Sequence, residues 1–142
     1  MDQKLDKLDL LDSISERHNQ LRKLSEELWN NHSDIAISNS EWYIMSRIYK
    51  KQPTIAYVSK NVDITRQATH KFIKGLKSKG LVDVMNVENN KKVKSIQLTP
   101  LGEECYEKNE ALKAKIEKQL AEKIGEEQIE LLKSVLKMEW GI

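Results

Sequence analysis

Leu5, Leu8, Leu11, Ile14, Leu21, Leu24 and Leu28 recur at steps of three, four and seven residues, the spacing that lines one face of an α-helix. The pattern predicts a first helix from about Lys4 to Asn30, about 40 Å long at ~1.5 Å per residue. A helix of that length with one apolar face needs a partner helix. The stretch from Asn30 to Asn39 reads as a loop. Ser38 and Glu41 then stand at capping-box spacing, ahead of a second helix from about Ser40 to Lys50 that buries Trp42, Met45 and Ile48 or Tyr49. A third helix starts at Pro53-Thr54, with Thr54 as N-cap and Ile55, Val58 and Val62 inward. Asp63 falls in the next turn, where Asp tolerates a left-handed backbone better than most residues. Thr65 caps a fourth helix, Arg66 to Lys79, with Ala68, Phe72, Ile73 and Leu76 inward, Gly80 as its C′ residue and Leu81 as the apolar contact beyond it. Gly75 inside that helix costs about 1 kcal/mol relative to alanine, and the pattern supplies no reason beyond close packing.

The period then changes from helical to alternating. Val82–Val87 and Val93–Leu98 read as two strands joined by the loop Glu88-Asn89-Asn90-Lys91-Lys92, a β-hairpin. Thr99 caps a long helix with Pro100 in its first turn and Glu103 and Glu104 at the positive end of its dipole. That helix runs to about Ile124. Gly125 interrupts it, and Glu126 to Trp140 forms a last helix with Ile129, Leu132, Val135, Leu136 and Trp140 apolar. The elements describe a mainly α chain: a winged helix-turn-helix with a small β-hairpin wing and long N- and C-terminal helices. They divide one compact subunit into an N-terminal helix and loop (1–37), a winged region (38–98) and C-terminal helices (99–142).

Net charge over the 142 residues is only +2, but it is unevenly placed. From Tyr43 to Val82 there are nine Lys or Arg (Arg47, Lys50, Lys51, Lys60, Arg66, Lys71, Lys74, Lys77, Lys79) and one acid, Asp63; the rest of the chain carries 15 basic and 21 acidic residues. A basic centre between acidic arms orients a molecule on a polyanion. The single Cys105 allows no internal disulfide and fits a reducing compartment. The start of the chain has no signal-peptide pattern and no apolar run approaches the ~20 residues of a membrane span. A cytoplasmic protein, away from the membrane, is the simplest expectation.

In a helix-turn-helix the second helix enters the major groove and its N-terminal residues face the bases. Here those are Thr65, Arg66, Gln67, Thr69, His70 and Lys71; Arg suits guanine O6 and N7, and Gln suits adenine N6 and N7. Lys74 and Lys77, further along, meet phosphate. Thr54 starts the supporting helix. Asn89, Asn90, Lys91, Lys92 and Lys94 put amides and positive charge at the hairpin tip, within reach of an adjacent minor groove.

This arrangement resembles the MarR family of winged helix-turn-helix transcriptional regulators. The residues that carry the likeness are Glu41-Trp42 at the second helix, Thr54 to Ile64 as supporting helix and turn, Thr65-Arg66-Gln67-Ala68-Thr69-His70-Lys71 as recognition helix, Leu76 to Val82 ending in Lys79-Gly80-Leu81-Val82, and Leu98-Thr99-Pro100-Leu101-Gly102 after the wing. The resemblance implies a homodimer built from the first and last two helices, a near-palindromic duplex operator, repression, and release by small phenolic or other lipophilic compounds or by cysteine oxidation. It places such an effector between the dimer helices and the reading head, where Trp29, His32, Trp42 and Tyr43 are the candidate lining. The wing departs from the family: its usual Asp-x-Arg step falls on Asn90-Lys91-Lys92, and lysine supplies charge without the planar fork of arginine.

The alternative class is a protein–protein adaptor or antirepressor that uses the same fold with little DNA affinity. No cofactor or metal is implied: His18, His32 and His70 are scattered, and one cysteine cannot complete a structural zinc set. Cys105 lies near Glu103, Glu104 and Glu107, acids that oppose thiolate formation. No phosphate loop, Ser/His/Asp order or paired carboxylates point to an enzyme.

Overall fold

The computed structural model of the chain describes residues 5–142. Its elements are α1 (Leu10–His32), α2 (Asn39–Ile48), α3 (Ile55–Asn61), α4 (Arg66–Ser78), β1 (Val82–Val87), β2 (Asn90–Leu98), α5 (Pro100–Ile124) and α6 (Glu126–Lys137). Three boundaries differ from the sequence pattern for local reasons. α1 starts at Leu10 because the Asp9 carboxylate accepts from the Asp12 N–H at 2.8 Å and caps the helix there; Leu5 and Leu8 precede it, and Lys4 lies outside the described residues. The hairpin turn is Glu88-Asn89 alone, with Asn89 at φ 63°, so β2 begins at Asn90 instead of Val93. α6 ends at Lys137, and the Trp140 indole N–H turns back to the Val135 carbonyl at 2.7 Å.

The capping signals act as read. Ser38 and Glu41 form a reciprocal capping box on α2, Thr54 caps α3, Thr65 caps α4, and Thr99 caps α5 with Pro100 in its first turn. At the end of α4, Gly80 (φ 75°) donates to Lys77 O and Leu81 N–H donates to Leu76 O, both at 3.0 Å, the paired bonds of a Schellman motif. Asp63 does not take a left-handed backbone; the positive φ values of non-glycine residues fall on Lys50 and Asn89 among the described residues.

One apolar cluster holds the reading head together. Ile44, Met45 and Ile48 of α2, Val58 of α3, Ile73 and Leu76 of α4, Leu81, and Val82, Ile96 and Leu98 of the hairpin are buried in it with Trp29, Ile37, Cys105 and Leu112. The two strands pair antiparallel from Val82↔Leu98 to Asn86↔Lys94, with an irregularity between Asn86 and Val87. The hairpin base is tied to the supporting helix: Ile96 N–H donates to Pro53 O at 2.9 Å, and Thr54 bridges Ser95.

A second tie closes the open end of the hairpin, just outside the Val82↔Leu98 pair. The Thr99 N–H donates to Leu81 O at 3.0 Å and its hydroxyl donates to Gly80 O at 2.6 Å. The start of α5 therefore presses against the turn that ends α4. Gly102 lies at this crossing, where only a residue without Cβ fits (a Cβ there would sit 2.1 Å from Leu81 O).

The terminal helices leave much apolar surface uncovered. Leu10, Leu11, Ile14, Leu21 and Leu24 on α1 and Leu131, Leu132 and Leu136 on α6 are exposed, followed by Met138, Trp140 and Ile142. Among the described residues, no helix is long and apolar enough to cross a membrane.

Candidate nucleic-acid interface

α4 buries Ile73 and Leu76 as the pattern predicts, but Thr69 is buried more deeply than Ala68 or Phe72. Thr69, Ile73 and Leu76 are its buried residues, whereas Ala68 and Phe72 are half-buried. Thr69 is therefore not a base-facing residue: it is completely buried and its hydroxyl donates to Thr65 O at 2.9 Å. A threonine can take an inward position because this backbone carbonyl satisfies its hydroxyl. Thr65 is exposed, but its own hydroxyl oxygen is occupied accepting from the Ala68 N–H at 3.0 Å. Arg66, Gln67, His70, Lys71 and Lys74 are all exposed on the outer face.

The first turn of α4, the first turn of α3 and the wing meet around a cleft of about 310 Å³. Thr54, Arg66, His70, Lys92 and Lys94 line it together with Ser59. Residues up to 40 positions apart in the chain thus border one volume. The Ser59 hydroxyl is buried and has no hydrogen-bond partner among the described residues. Thr54 is held by its cap on the Tyr57 N–H at 3.1 Å.

The wing is more ordered by its own side chains than a plain solvated loop. The Asn90 amide oxygen accepts from the Lys92 and Val93 N–H groups at 3.0 and 3.3 Å, which fixes the irregular end of β2. The Lys94 ammonium donates to the Asn86 amide oxygen at 2.8 Å. Lys91 and Lys92 are exposed and form no side-chain hydrogen bond among the described residues.

Not every member of the basic centre faces outward. Lys79 donates to both carboxylate oxygens of Glu41, at 2.8 and 2.9 Å, and Lys50 pairs with Glu103 at 3.1 Å. The carboxylate next to Lys50 raises its pKa, which keeps it a cation. Lys74 and Lys77 are exposed without a paired acid among the described residues. Lys74→Ala is expected to weaken binding to all duplex sequences alike and to lower the salt slope by about one per subunit, as a phosphate contact does; titrations at several salt concentrations measure this.

A larger cleft of about 640 Å³ opens on the opposite side of α2, between α1 and α5. Trp42 and Tyr43 line it as anticipated, but Trp29 and His32 do not. Trp29 is core: it is 1% exposed, its indole N–H donates to Ile35 O at 2.7 Å, and it packs edge-on against Trp42 with centroids 4.9 Å apart. His32 is used at the end of α1, where its Nδ1 pairs with Leu28 O. The sequence reading missed His18, Arg22, Tyr106 and Asn109 as lining residues, as well as Asp63 from the helix-turn-helix turn. Asn109 carried a usable signal. It occupies the inward row of α5 with Gly102, Cys105, Leu112 and Ile116, and its Oδ1 is buried without a partner among the described residues. A buried amide oxygen on an otherwise apolar row is an unmet acceptor.

Cys105 is buried on that same row. Burial raises its thiol pKa, with Glu104 adding to the rise and Lys108 opposing it. Desolvation, ahead of the neighbouring acids, therefore keeps the thiol protonated.

No family model matches the sequence. An uncharacterised HTH-type transcriptional regulator of Staphylococcus aureus strain Mu50 is 34% identical over 86 residues, 60% of this chain. The match spans only 57% of that relative. Among solved structures, a mutant of Escherichia coli MarR superposes with a TM-score of 0.77 at 19% identity, over 93% of this chain and 96% of that one. Streptococcus pneumoniae FabT, solved in complex with DNA, superposes with a TM-score of 0.74 at 19% identity, over 89% and 90% of the two chains. At such identities the likeness is one of architecture, and it extends through the long terminal helices as well as the reading head.

Proposed function

We propose that this chain, which has the MarR-type winged helix-turn-helix fold, is a sequence-specific duplex-DNA-binding transcriptional regulator, a repressor that acts as a homodimer in the cytoplasm. The observation that carries the reading is the convergence of Thr54, Arg66, His70, Lys92 and Lys94 on one cleft between recognition helix, supporting helix and wing. Side chains from three elements border a single volume there, Arg66 and Lys92 among them, an arrangement suited to following a duplex backbone while a helix enters its groove. Arg66, Gln67, His70 and Lys71 face base edges, Lys74 and Lys77 meet phosphate, and Lys91 and Lys92 extend the contact along the wing. Two such heads, related by a twofold axis through α1, α5 and α6, enter successive major grooves, so the operator is near-palindromic.

A small lipophilic or phenolic effector occupies the cleft between α1, α2 and α5. Its volume, about 640 Å³, lies in the range of ligand pockets, and Trp42, Tyr43 and Tyr106 supply aromatic walls.

The decisive experiment is selection of bound sequences from a random duplex pool, followed by gel-shift titration at two salt concentrations. The expected result is enrichment of an inverted repeat whose affinity falls with salt. A chain that enriches no repeat and binds no duplex in a salt-dependent way is an adaptor, and the proposal is overturned. Arg66→Ala is expected to cost roughly 1–3 kcal/mol on the enriched sequence and to relax preference at one base step. Equal loss on every sequence would exclude base reading by Arg66.

A further inference from the structure

We infer that the Lys79–Glu41 pair is a latch that sets the angle of the recognition helix, and that Lys79, although it belongs to the basic run, does not touch DNA. The inference rests on the regulatory reading above for its consequence, but not for its geometry. Lys79 is the C-cap residue of α4. Its ammonium donates to both oxygens of Glu41, at 2.8 and 2.9 Å. Glu41 is 5% exposed and belongs to the first turn of α2, where Oε1 also accepts from the Ser38 N–H at 2.9 Å. Among the described residues, this is the polar side-chain link between α2 and the end of α4.

Gly75 lies beside the pair, one turn before Lys79. A Cβ at that position would come 3.4 Å from Glu41 Oε2, an ordinary contact, so the pair places the carboxylate against this face of α4 without itself requiring a glycine there.

The consequence follows from leverage. The latch lies 13 residues from Arg66, roughly 20 Å along the helix. A tilt of about 10° at that lever arm displaces the first turn by roughly 3 Å. Phosphate contacts through long, flexible lysines tolerate such a shift, whereas a bidentate contact to a base edge does not. Loss of the latch therefore degrades discrimination between sequences, while affinity for duplex in general persists. The same turn of α2 supplies Asn39, Ser40, Trp42 and Tyr43 to the large cleft, so whatever displaces that wall acts on the recognition helix through Glu41.

The test compares wild type with Lys79→Met, Glu41→Gln and Lys79→Arg. Affinity is measured for the duplex enriched by selection and for random-sequence duplex, at several salt concentrations. Lys79→Met and Glu41→Gln change net charge in opposite senses. Both are expected to lower the ratio of selected to random affinity about tenfold, with random-duplex affinity within about twofold of wild type and the salt slope unchanged. Lys79→Arg, which keeps the charge pair, is expected to restore the ratio. Amide hydrogen exchange without DNA is expected to quicken at Phe72–Ser78 in Lys79→Met and not in α5 or α6. A uniform loss on all sequences with a lower salt slope would make Lys79 a phosphate contact and overturn the inference. So would an unchanged affinity ratio, or unchanged exchange at the end of α4. If wild type prefers no duplex sequence, the regulatory reading fails, and the exchange measurement alone decides the latch.

Discussion

Gly102→Ala is expected to destabilise the subunit by about 3 kcal/mol or more, read as a large fall in the midpoint of thermal or urea unfolding. An ideal Cβ at this position lies 2.1 Å from the Leu81 carbonyl oxygen, 3.1 Å from its carbon and 3.3 Å from Leu98 Cδ2. The first two are backbone atoms, so the clash cannot be relieved by a side-chain rotation. Leu81 O is also the acceptor for the Thr99 N–H at 3.0 Å, and Thr99 caps α5 through the Gly102 N–H at 3.0 Å. Moving Leu81 aside breaks that bond and disturbs Leu81 itself, which is fully buried in the core. Gly80→Ala is the internal comparison. Gly80 has φ +75° but nothing within 4 Å of its missing Cβ, so only the left-handed backbone is penalised, at about 1 kcal/mol. A Gly102→Ala protein as stable as Gly80→Ala would refute the packing at this crossing.

Leu132→Asp is expected to turn a dimer into a monomer and to reduce operator affinity about a hundredfold or more, because two linked heads gain from each other an effective concentration that single heads lack. Leu132 lines an apolar groove of about 270 Å³ with Leu21, Ile116, Ile129 and Leu136. It is 50% exposed in the single subunit, so the substitution removes little of the subunit's own core. The exposed leucines of α1 and α6 are the surface that the proposed homodimer covers. A charge placed among them carries a desolvation cost on association. Sedimentation or light scattering reads the assembly state, and circular dichroism checks that the helices persist. A variant still dimeric at micromolar concentration would move the twofold interface away from this groove.

These two positions differ in how openly the sequence declares them. Gly102 follows a capping threonine and a first-turn proline, and the step Leu98-Thr99-Pro100-Leu101-Gly102 carries part of the family likeness; what the glycine avoids became visible only when Leu81 was placed against it. Leu132 was legible as an apolar position, because helical spacing alone marks it. Its exposure was not, since periodicity reports which face is apolar and not what covers it.

The recognition helix divides in the same way. Thr65 as cap, Gly80 as terminator and the polar outer face of α4 were readable because each depends on a few neighbours along the chain. The fate of Thr69 was not. A threonine on a helix is polar by composition, and only the packing of α4 against α2 and α3 turns it inward, where its hydroxyl is satisfied within its own turn. Likewise the local sequence counts Lys79 and Lys50 as free charge. Their acids, Glu41 and Glu103, stand outside the basic segment, and folding brings them into contact over 38 and 53 residues.

Local chemistry along the chain determined the helices, the hairpin, the caps and the order that makes a reading head between long terminal helices, because caps and amphipathic periods act over one or two turns. Tertiary structure decided which charges stay free, which threonine is buried, why Gly102 must lack a side chain, and that Thr54, Arg66, His70, Lys92 and Lys94 surround one volume. Those outcomes depend on distances between segments far apart in sequence, which the packing of the helices and wing sets and no local pattern encodes.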